Sequence, residues 1–463
     1  MMASRQVIDI SRLVDEQTIG PFNVKIVILS FLIMLADGYD LQAASLAGPG
    51  LVQSWQVNPS ALGLVFSASL FGMLFGGPFF GYVGDRYGRR SAILAASLAY
   101  SIVTLVAAYA ASLNELIVLR FLTGLGLGGL PANCIALNAE YAPKRVRATL
   151  TTLMYLGITV GTMLPAGATA ILGQSYRWQT LFLIGGLAPL PIIGLIFLFL
   201  PESIKFLALR NRSRARIAKL AATLKPGLSV APDAEFRISD GGDKGIERSG
   251  VKRLFTDGFG GITLAIWTVY IMVLMANYFL HSWIPILIRA EGLSIREMGL
   301  VTTMLGWGGI AGALVAGFLL DKRGFITLVG FFVLACPFTA IIGWPGLSVI
   351  LLSAAVFAAG FFMIGIAVGM SSAMGIIYPT PIRANGAGWA LAIGRFGAIL
   401  GPLVGAWLIA AQLSVQQLFL APVVPMAIGA FAAYALMRLC DGRFGNRHRD
   451  EVAAVRLSLD ATD

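Results

Sequence analysis

The sequence has few charged residues, few cysteines and few histidines for its length of 463 residues. Charged residues make up 12% of the chain, about half of the ~25% that is usual in soluble domains. Three cysteines and two histidines are scattered along the chain, and they indicate neither a disulfide framework nor a metal site. No Gly-Lys dipeptide occurs, which excludes a Walker A ATP site. H-E-x-x-H and G-x-S-x-G are also absent, so no enzyme of these types is indicated.

Apolar residues, by contrast, are abundant and occur in long runs. Hydrophobic residues make up 57% of the chain, and about 20 residues at ~1.5 Å rise cross a hydrocarbon core of ~30 Å. Helices are favoured because lipid offers no partner for backbone groups, and the alternation of a β-barrel is missing. The sequence therefore predicts an all-α membrane protein with twelve transmembrane spans, at residues 24–51, 61–82, 91–111, 116–140, 148–172, 179–200, 259–287, 298–320, 325–342, 348–377, 384–410 and 416–437.

Basic residues are concentrated in the loops that share a side with the N-terminus. The opposite loops contain only Arg177, Arg289 and Arg296. This positive-inside bias predicts a multi-pass protein of the inner (plasma) membrane with both termini in the cytoplasm. The net charge of +11 is then explained by topology, with membrane lipids rather than nucleic acid as the expected neighbours. The basic residues on the N-terminal side are Arg86, Arg89, Arg90, Lys144, Arg145, Arg147, Lys322, Arg323 and Arg383, with twelve more between 201 and 258.

An internal repeat divides the chain into two halves. Gly81, Asp85 and Gly88 follow the second span, and the same residue types follow the eighth span with a displacement of 236 residues. Arg147-Ala148 and Arg383-Ala384 share this displacement. We therefore expect two parallel six-helix bundles with a ligand site at their interface. The expected division is a solvated, cytoplasmic N-terminal tail 1–23, a bundle 24–200, a cytoplasmic linker 201–258, a second bundle 259–437 and a cytoplasmic C-terminal tail 438–463.

Several motifs resemble those of known transporters. The run Gly81-Tyr-Val-Gly-Asp-Arg-Tyr-Gly-Arg-Arg90 resembles the loop signature of the major facilitator superfamily, in which Pro201-Glu-Ser203 is also common. Asp37-Gly-Tyr-Asp40 resembles the acidic motif of the aromatic acid:proton symporter family. Arg120-Phe-Leu-Thr-Gly-Leu-Gly-Leu-Gly-Gly129 and Glu140-Tyr-Ala-Pro-Lys-Arg-Val-Arg-Ala-Thr149 are similar to that family as well. The likeness extends over nearly all of residues 24–437.

The resemblance implies the major facilitator fold and the uptake of a small aromatic acid anion of the benzoate or hydroxybenzoate type. It implies that uptake occurs by alternating access and is coupled to protons. The proton gradient is then the energy source, and no cofactor is expected. The protein is expected to function as a monomer. An exporter of the same superfamily, or a proton symporter of another small organic anion, remains the alternative.

Asp37 and Asp40 are the acidic residues that lie well inside a span. A charged carboxylate at this depth costs about 2.5–3.5 kcal/mol on insertion scales, so a role is expected for it. Three residues apart, the two side chains share one helix face, and burial disfavours their charged forms. The sequence predicts that at least one of them carries the coupled proton. The alternative is a permanent ion pair with a neighbouring arginine.

Arg120 in the fourth span and Arg395 in the eleventh are the matching buried bases. A guanidinium can hold a carboxylate through two parallel hydrogen bonds, so both are candidates for binding the substrate. For each, the alternative is structural pairing with Asp37 or Asp40. Asn277 and Tyr278 lie in the seventh span, which the resemblance places along the cavity, and they are further candidates for substrate binding.

A group of charged residues at the cytoplasmic loops is expected to form a gate. The resemblance implies that Asp85 meets the N-terminal end of the eleventh span when the inner side is closed. Topology and solubility alone are the alternative. The other members of the group are Arg86, Arg89, Arg90, Glu140, Arg147 and Asp321.

Glycines at small-xxx-small spacing are predicted to allow close contact between helices. Gly124-Leu-Gly-Leu-Gly-Gly129 matches G-x-G-x-x-G, but it follows no strand and lies inside an apolar run. This position predicts helix packing rather than dinucleotide binding. The glycines with the same spacing are Gly72 and Gly76, Gly77 and Gly81, Gly157 and Gly161, and Gly397, Gly401 and Gly405.

Overall fold

A computed structural model describes residues 6–173, 177–210, 213–228, 230–231, 234–239, 251–256 and 258–444. These residues form seventeen α-helices and two short β-strands. In chain order the elements are β1 (Val7–Asp9), α1 (Ile10–Glu16), α2 (Pro21–Trp55), α3 (Leu62–Tyr87), α4 (Arg89–Ala107), α5 (Leu113–Tyr141), α6 (Arg147–Leu172), α7 (Trp178–Leu187), α8 (Pro189–Phe199), α9 (Ile204–Leu209), α10 (Arg214–Leu224), β2 (Glu235–Arg237), α11 (Gly260–Ala290), α12 (Ile295–Arg323), α13 (Ile326–Ile342), α14 (Val349–Ile377), α15 (Thr380–Ala410), α16 (Val415–Leu420) and α17 (Val423–Phe444).

Each of the twelve predicted spans overlaps one of these helices, and the prediction of an all-α membrane protein is confirmed. Within the described residues, ten helical segments are long and apolar enough to cross a membrane. The number rises to eleven if α1 and α2, which are bent by 95° at their junction, count as one span. The remaining segment, α13, is apolar but only 17 residues long. The full count of twelve spans therefore stays a prediction.

The chain divides into two compact units. Unit 1 contains Met1–Ile246 together with His281–Thr303, and unit 2 contains Glu247–Leu280 together with Met304–Asp463. The C-terminal part of α11 and the first turns of α12 therefore belong with the N-terminal helices. Within unit 1, Trp283 of α11 makes an edge-to-face contact with Phe66 of α3, with ring centroids 5.6 Å apart. The predicted boundaries of the two six-helix bundles stay predictions.

Glycines bring the helices of unit 1 into backbone contact. A Cβ atom added at Gly76 of α3 would lie 2.0 Å from the carbonyl oxygen of Leu125 in α5. A Cβ added at Gly161 of α6 would lie 2.1 Å from the carbonyl oxygen of Leu35 in α2. Both glycines thus occupy positions where any side chain would separate two helices, and their predicted packing role is confirmed. The prediction was wrong for Gly81, because no atom lies within 4 Å of a Cβ added there.

The same contacts recur in unit 2 with the displacement found in the sequence. Four glycines in unit 1 have a glycine 236 residues later, and the residue whose carbonyl oxygen each one faces is displaced by the same number. The repeat is therefore a repeat of helix contacts as well as of sequence. The matched pairs are Gly72 against Phe121 and Gly308 against Phe357, Gly76 against Leu125 and Gly312 against Phe361, Gly124 against Ser69 and Gly360 against Leu305, and Gly161 against Leu35 and Gly397 against Ile271.

The N-terminal segment is folded rather than a solvated tail. Strand β1 pairs in parallel with β2 from the linker, with Val7 opposite Glu235. Asp9 then caps α1 by accepting hydrogen bonds from the backbone N–H groups of Ser11 and Arg12. The expectation of a solvated tail was wrong for residues 7–16, because their apolar side chains recur at helical spacing and have a partner in the linker. The buried side chains are Ile8, Ile10, Leu13 and Val14, with Ile217, Ala221 and Leu224 of α10.

This terminal cluster, formed by β1, α1, α10 and β2, is attached to the loop between α5 and α6. Asp15 forms an ion pair with Lys144 at 2.8 Å. Arg145 donates a hydrogen bond to the carbonyl oxygen of Gln17 at 2.9 Å. The Gln17 amide in turn donates to the carbonyl oxygen of Tyr141 at 2.6 Å. The N-terminal segment is thus tied to the end of the fourth span.

The glycine contacts predict a difference between two substitutions in α3. Gly76→Ala should force α3 and α5 apart and lower the melting temperature of the purified protein, because overpacking costs about 1–3 kcal/mol or more. Gly81→Ala is the matched control, since no atom lies within 4 Å of a Cβ at that position. Thermal unfolding in detergent measures both variants. Equal melting temperatures would show that the backbone contact does not stabilise the unit.

Candidate functional site

Four consecutive residues of α2 face four different surroundings in unit 1. A Cβ added at Gly38 would lie 2.0 Å from the carbonyl oxygen of Ile158, so α6 packs directly on this glycine. The Tyr39 hydroxyl donates a hydrogen bond to the carbonyl oxygen of Leu181 at 3.1 Å. Asp37 and Asp40 flank these two residues, and both are 1% exposed. The helix contacts of the middle residues therefore fix the directions of both carboxylates.

Asp40 forms a two-point ion pair with Arg120 of α5. The guanidinium nitrogens lie 3.0 Å and 3.1 Å from the two carboxylate oxygens. Thr123 accepts a further hydrogen bond from Arg120 at 3.2 Å, and the Thr104 hydroxyl lies 3.4 Å from Asp40. The Phe182 ring centroid is 4.9 Å from the guanidinium carbon, a cation–π distance. Arg120 is completely buried, so polar and aromatic groups surround both charges.

This geometry matches the ion-pair alternative for Asp40 and Arg120. A buried charge pair is tolerated when each partner offsets the other and further hydrogen bonds are present. The roles of the two residues in proton coupling and substrate binding stay predictions. The predicted shared face of Asp37 and Asp40 is compatible with their spacing, but only Asp40 is in the pair with Arg120.

Asp37 lies in the interior of unit 1, among α2, α4 and α5. It is close enough to the Tyr100 hydroxyl and to the Cys134 thiol for its charge to act on both groups. Tyr100 is 1% exposed and Cys134 is fully buried. The structure therefore places Asp37 in the interior of unit 1, and its role in proton coupling stays a prediction.

The remaining candidates for substrate binding belong to unit 2. Arg395 is on α15, and Asn277 and Tyr278 are on α11; all three are partly exposed. These two helices pack closely, since a Cβ added at Gly397 would lie 2.1 Å from the carbonyl oxygen of Ile271. The structure thus places these three residues on neighbouring helices of one unit.

The predicted gate residues of unit 1 form a network around the ends of α3 and α5. Arg89 contacts Asp85 at 2.7 Å and Glu140 at 3.6 Å. The side chain of Asp85 is 68% exposed, so it is accessible at the end of α3. Arg147 donates to the carbonyl oxygen of Ala142.

The other gate residues have separate surroundings. Arg86 donates to the Tyr82 hydroxyl at 2.7 Å, and Arg90 donates to the carbonyl oxygen of Phe197. The side chain of Asp321 lies outside the described part of the structure. The gate role of the whole group stays a prediction.

Glu202 is a member of this network that was not predicted from the sequence. Its carboxylate accepts hydrogen bonds from the backbone N–H groups of Arg90 at 3.2 Å and Ser203 at 2.9 Å. A Cβ added at Gly88, whose φ is +106°, would lie 2.2 Å from this carboxylate. The absence of a side chain at Gly88 of the loop signature therefore leaves room for the carboxylate of Glu202 in Pro201-Glu202-Ser203.

Gln42 and His281 form a second polar contact that was not predicted from the sequence. The His281 ring nitrogen Nδ1 lies 2.7 Å from Oε1 of Gln42. The Gln42 amide nitrogen donates to the carbonyl oxygen of His281 at 3.3 Å and to the Ser45 hydroxyl at 2.9 Å. The available signal was a glutamine within an apolar span, which must find partners away from lipid.

Two units that repeat the same helix contacts, with an ion pair buried in one of them, are typical of membrane transporters. The sequence profile of the Major Facilitator Superfamily matches residues 26–374 and 266–452. The chain belongs to this superfamily and is a transporter rather than an enzyme.

Named relatives are similar over almost their whole length. The 4-hydroxybenzoate transporter PcaK of Pseudomonas aeruginosa is 34% identical over 92% of this chain and 95% of its own. The gallate transporter of Pseudomonas putida is 35% identical over 96% of this chain and 98% of its own. The benzoate transport protein of Acinetobacter baylyi is 30% identical over 93% of this chain and 92% of its own.

Solved structures support the fold. The partially occluded, inward-open xylose transporter XylE of Escherichia coli matches with a TM-score of 0.70 at 16% identity, over 92% of this chain and 98% of its own. A bacterial homologue of the lysosomal transporter Spinster matches with a TM-score of 0.69 at 16% identity, over 91% of this chain and 99% of its own. The predicted major facilitator fold is confirmed.

The Asp40–Arg120 geometry predicts strongly non-additive effects on stability. Asp40→Leu and Arg120→Met should each lower the free energy of unfolding by about 3–5 kcal/mol, because each leaves one buried charge without its partner. The double variant should recover most of the loss, since apolar residues of similar size can replace such a pair. Thermal unfolding of the two single variants and the double variant gives the coupling. Additive losses would contradict a structural ion pair.

Proposed function

We propose that this protein imports an aromatic carboxylate of the benzoate or hydroxybenzoate type together with a proton. Relatives that align with more than nine tenths of this chain are named as transporters of such acids, and the superfamily membership supports transport by alternating access. We further propose that it works as a monomer in the inner membrane, with both termini in the cytoplasm. The proton gradient then supplies the energy, and no cofactor is needed.

The observation that carries the proton role is the buried Asp37 beside a charge pair that is already neutral. Asp40 and Arg120 offset each other through two hydrogen bonds. A proton added to Asp40 would weaken this pair and leave Arg120 as an uncompensated buried charge. A proton added to Asp37 leaves the pair intact. We therefore assign the coupled proton to Asp37 and a structural role to Asp40 and Arg120.

Protonation of Asp37 changes the net charge of the candidate residues and so affects the binding of an anionic substrate. The Asp40–Arg120 pair has no net charge. Of the remaining candidates for proton and substrate binding, Asp37 carries a charge of −1 and Arg395 a charge of +1. Protonation of Asp37 leaves a net charge of +1, which one carboxylate anion restores to zero. Proton and substrate should therefore favour each other's binding, and by linkage the effect is mutual. Arg395 is the residue that we propose for the substrate carboxylate.

The first test of this proposal is the uncoupling of transport by Asp37→Asn. In proteoliposomes with an inward proton gradient, the wild type should concentrate labelled 4-hydroxybenzoate. Asp37→Asn should lose this concentration but keep exchange of internal for external substrate, since exchange needs no net proton movement. Substrate exchange by the same vesicles is the control for folding. Concentrative uptake by Asp37→Asn at the wild-type rate would remove Asp37 from the coupling step, and substrate extrusion by the wild type would indicate an exporter.

A second test concerns pH and Arg395. Substrate affinity of the wild type should rise as pH falls from about 8 to 5, because protonation of Asp37 removes a negative charge; a tenfold rise corresponds to ~1.4 kcal/mol of coupling. Arg395→Lys should weaken binding but keep the pH dependence, since it retains the charge and loses the planar fork. Arg395→Gln should lose both. Equilibrium binding measures all three proteins. Wild-type affinity that does not change with pH would contradict the scheme, and unchanged binding by Arg395→Gln would place the carboxylate elsewhere.

A further inference from the structure

Helix α11 carries three hydrogen-bonding side chains on one face. Tyr270, Asn277 and His281 are seven and four residues apart, which places them on the same side of a helix with 3.6 residues per turn. Two of the three are engaged. The Tyr270 hydroxyl lies 3.0 Å from the Ser371 hydroxyl, and His281 Nδ1 lies 2.7 Å from Gln42 Oε1.

Asn277 is different from its two neighbours on this face. Its side-chain oxygen Oδ1 is buried and has no hydrogen-bond partner among the described residues. Buried polar groups in native proteins are nearly always hydrogen-bonded, and a polar group inside a membrane span is costly. Other atoms of the residue are exposed, so the side chain borders accessible space, and a rotation of its torsion angles brings Oδ1 within reach of a small ligand. A buried acceptor without a protein partner, beside accessible space, is a candidate for a hydrogen bond from a ligand.

We propose that Asn277 Oδ1 accepts a hydrogen bond from a ring hydroxyl of the transported acid, and that it thereby selects ring-hydroxylated benzoates over benzoate. This inference rests on the proposed function. An amide oxygen is only an acceptor, so its partner must be a donor. The ionised carboxylate of the substrate has no proton to donate. A phenolic hydroxyl does, and it is the group that distinguishes hydroxybenzoates from benzoate.

The chemistry of the amide predicts an order of affinities. A site that hydrogen-bonds a substrate hydroxyl disfavours an analogue without it, because the buried group then loses its partner. A ring substituent that only accepts hydrogen bonds should gain nothing at this position. The expected order is therefore hydroxy- and aminobenzoate first, followed by benzoate and nitrobenzoate.

Competition assays with reconstituted protein test this order. The three hydroxybenzoate isomers are first compared as competitors of labelled substrate uptake by the wild type, and the best isomer sets the ring position. Amino- and nitrobenzoate with the substituent at that position, and benzoate itself, are then compared. The wild type should bind the two donors about 3- to 10-fold more tightly than the other two acids, as expected for one neutral hydrogen bond. Asn277→Leu, which is similar in size but lacks the acceptor, should bind all four about equally and retain the affinity for benzoate.

Tyr270→Phe is the matched control, because it removes a hydroxyl from the same helix face without changing Asn277. It should keep the preference for donors. An equal preference in the wild type and in Asn277→Leu would overturn the inference, as expected if a water molecule satisfies Oδ1. If Asn277→Leu is not produced, the wild type alone tests the inference. A wild type that binds nitrobenzoate as tightly as the two donors would overturn it. Failure of the wild type to transport any of these acids would instead overturn the proposed function, and the inference with it.

Discussion

The close approach of helix backbones at glycine is the constraint on which the other features of the structure depend. Lipid is as apolar as leucine, so membrane helices gain little from burying apolar side chains against each other and depend on close packing. Gly161 and Gly38 let α2 and α6 touch, with a Cβ at Gly161 only 2.1 Å from the carbonyl oxygen of Leu35. This contact sets the rotation of α2. The rotation in turn directs Asp40 towards Arg120.

The two units share these backbone contacts, but they differ in their charges. The residues displaced by 236 positions from Asp40 and Arg120 are Ala276 and Val356, which are 1% and 0% exposed. The same place in the repeat is therefore charged in one unit and apolar in the other. Helix packing alone does not require the ion pair, since unit 2 packs without it. The repeat is therefore a repeat of helix packing, and the buried charge pair at this position belongs to unit 1.

The sequence predicted the fold well and the site only in part. Apolar runs predicted the helices because length and hydropathy are local properties, and α13 alone is short for a span at 17 residues. The pairing of Asp40 with Arg120 was one of two alternatives, because the sequence shows neither residue's direction. Thr104, Phe182 and the Gln42–His281 contact were missed because their partners come from distant helices. The cluster at the N-terminus was missed because its segments are short. The apolar side chains of each segment are buried by the other, which lies more than 200 residues away in the sequence.

The pairing of β1 with β2 has a consequence for how the protein is made. Val7 is among the first residues to be synthesised, yet its partner Glu235 follows the first six spans. At 5–20 residues per second, the N-terminal strand waits roughly 10–50 s for its partner to leave the ribosome. During this interval the apolar side chains of Ile10 and Val14 are without the linker that covers them. Closure of the cluster can thus occur only after the first six spans have been synthesised, so it follows the completion of that half of the chain.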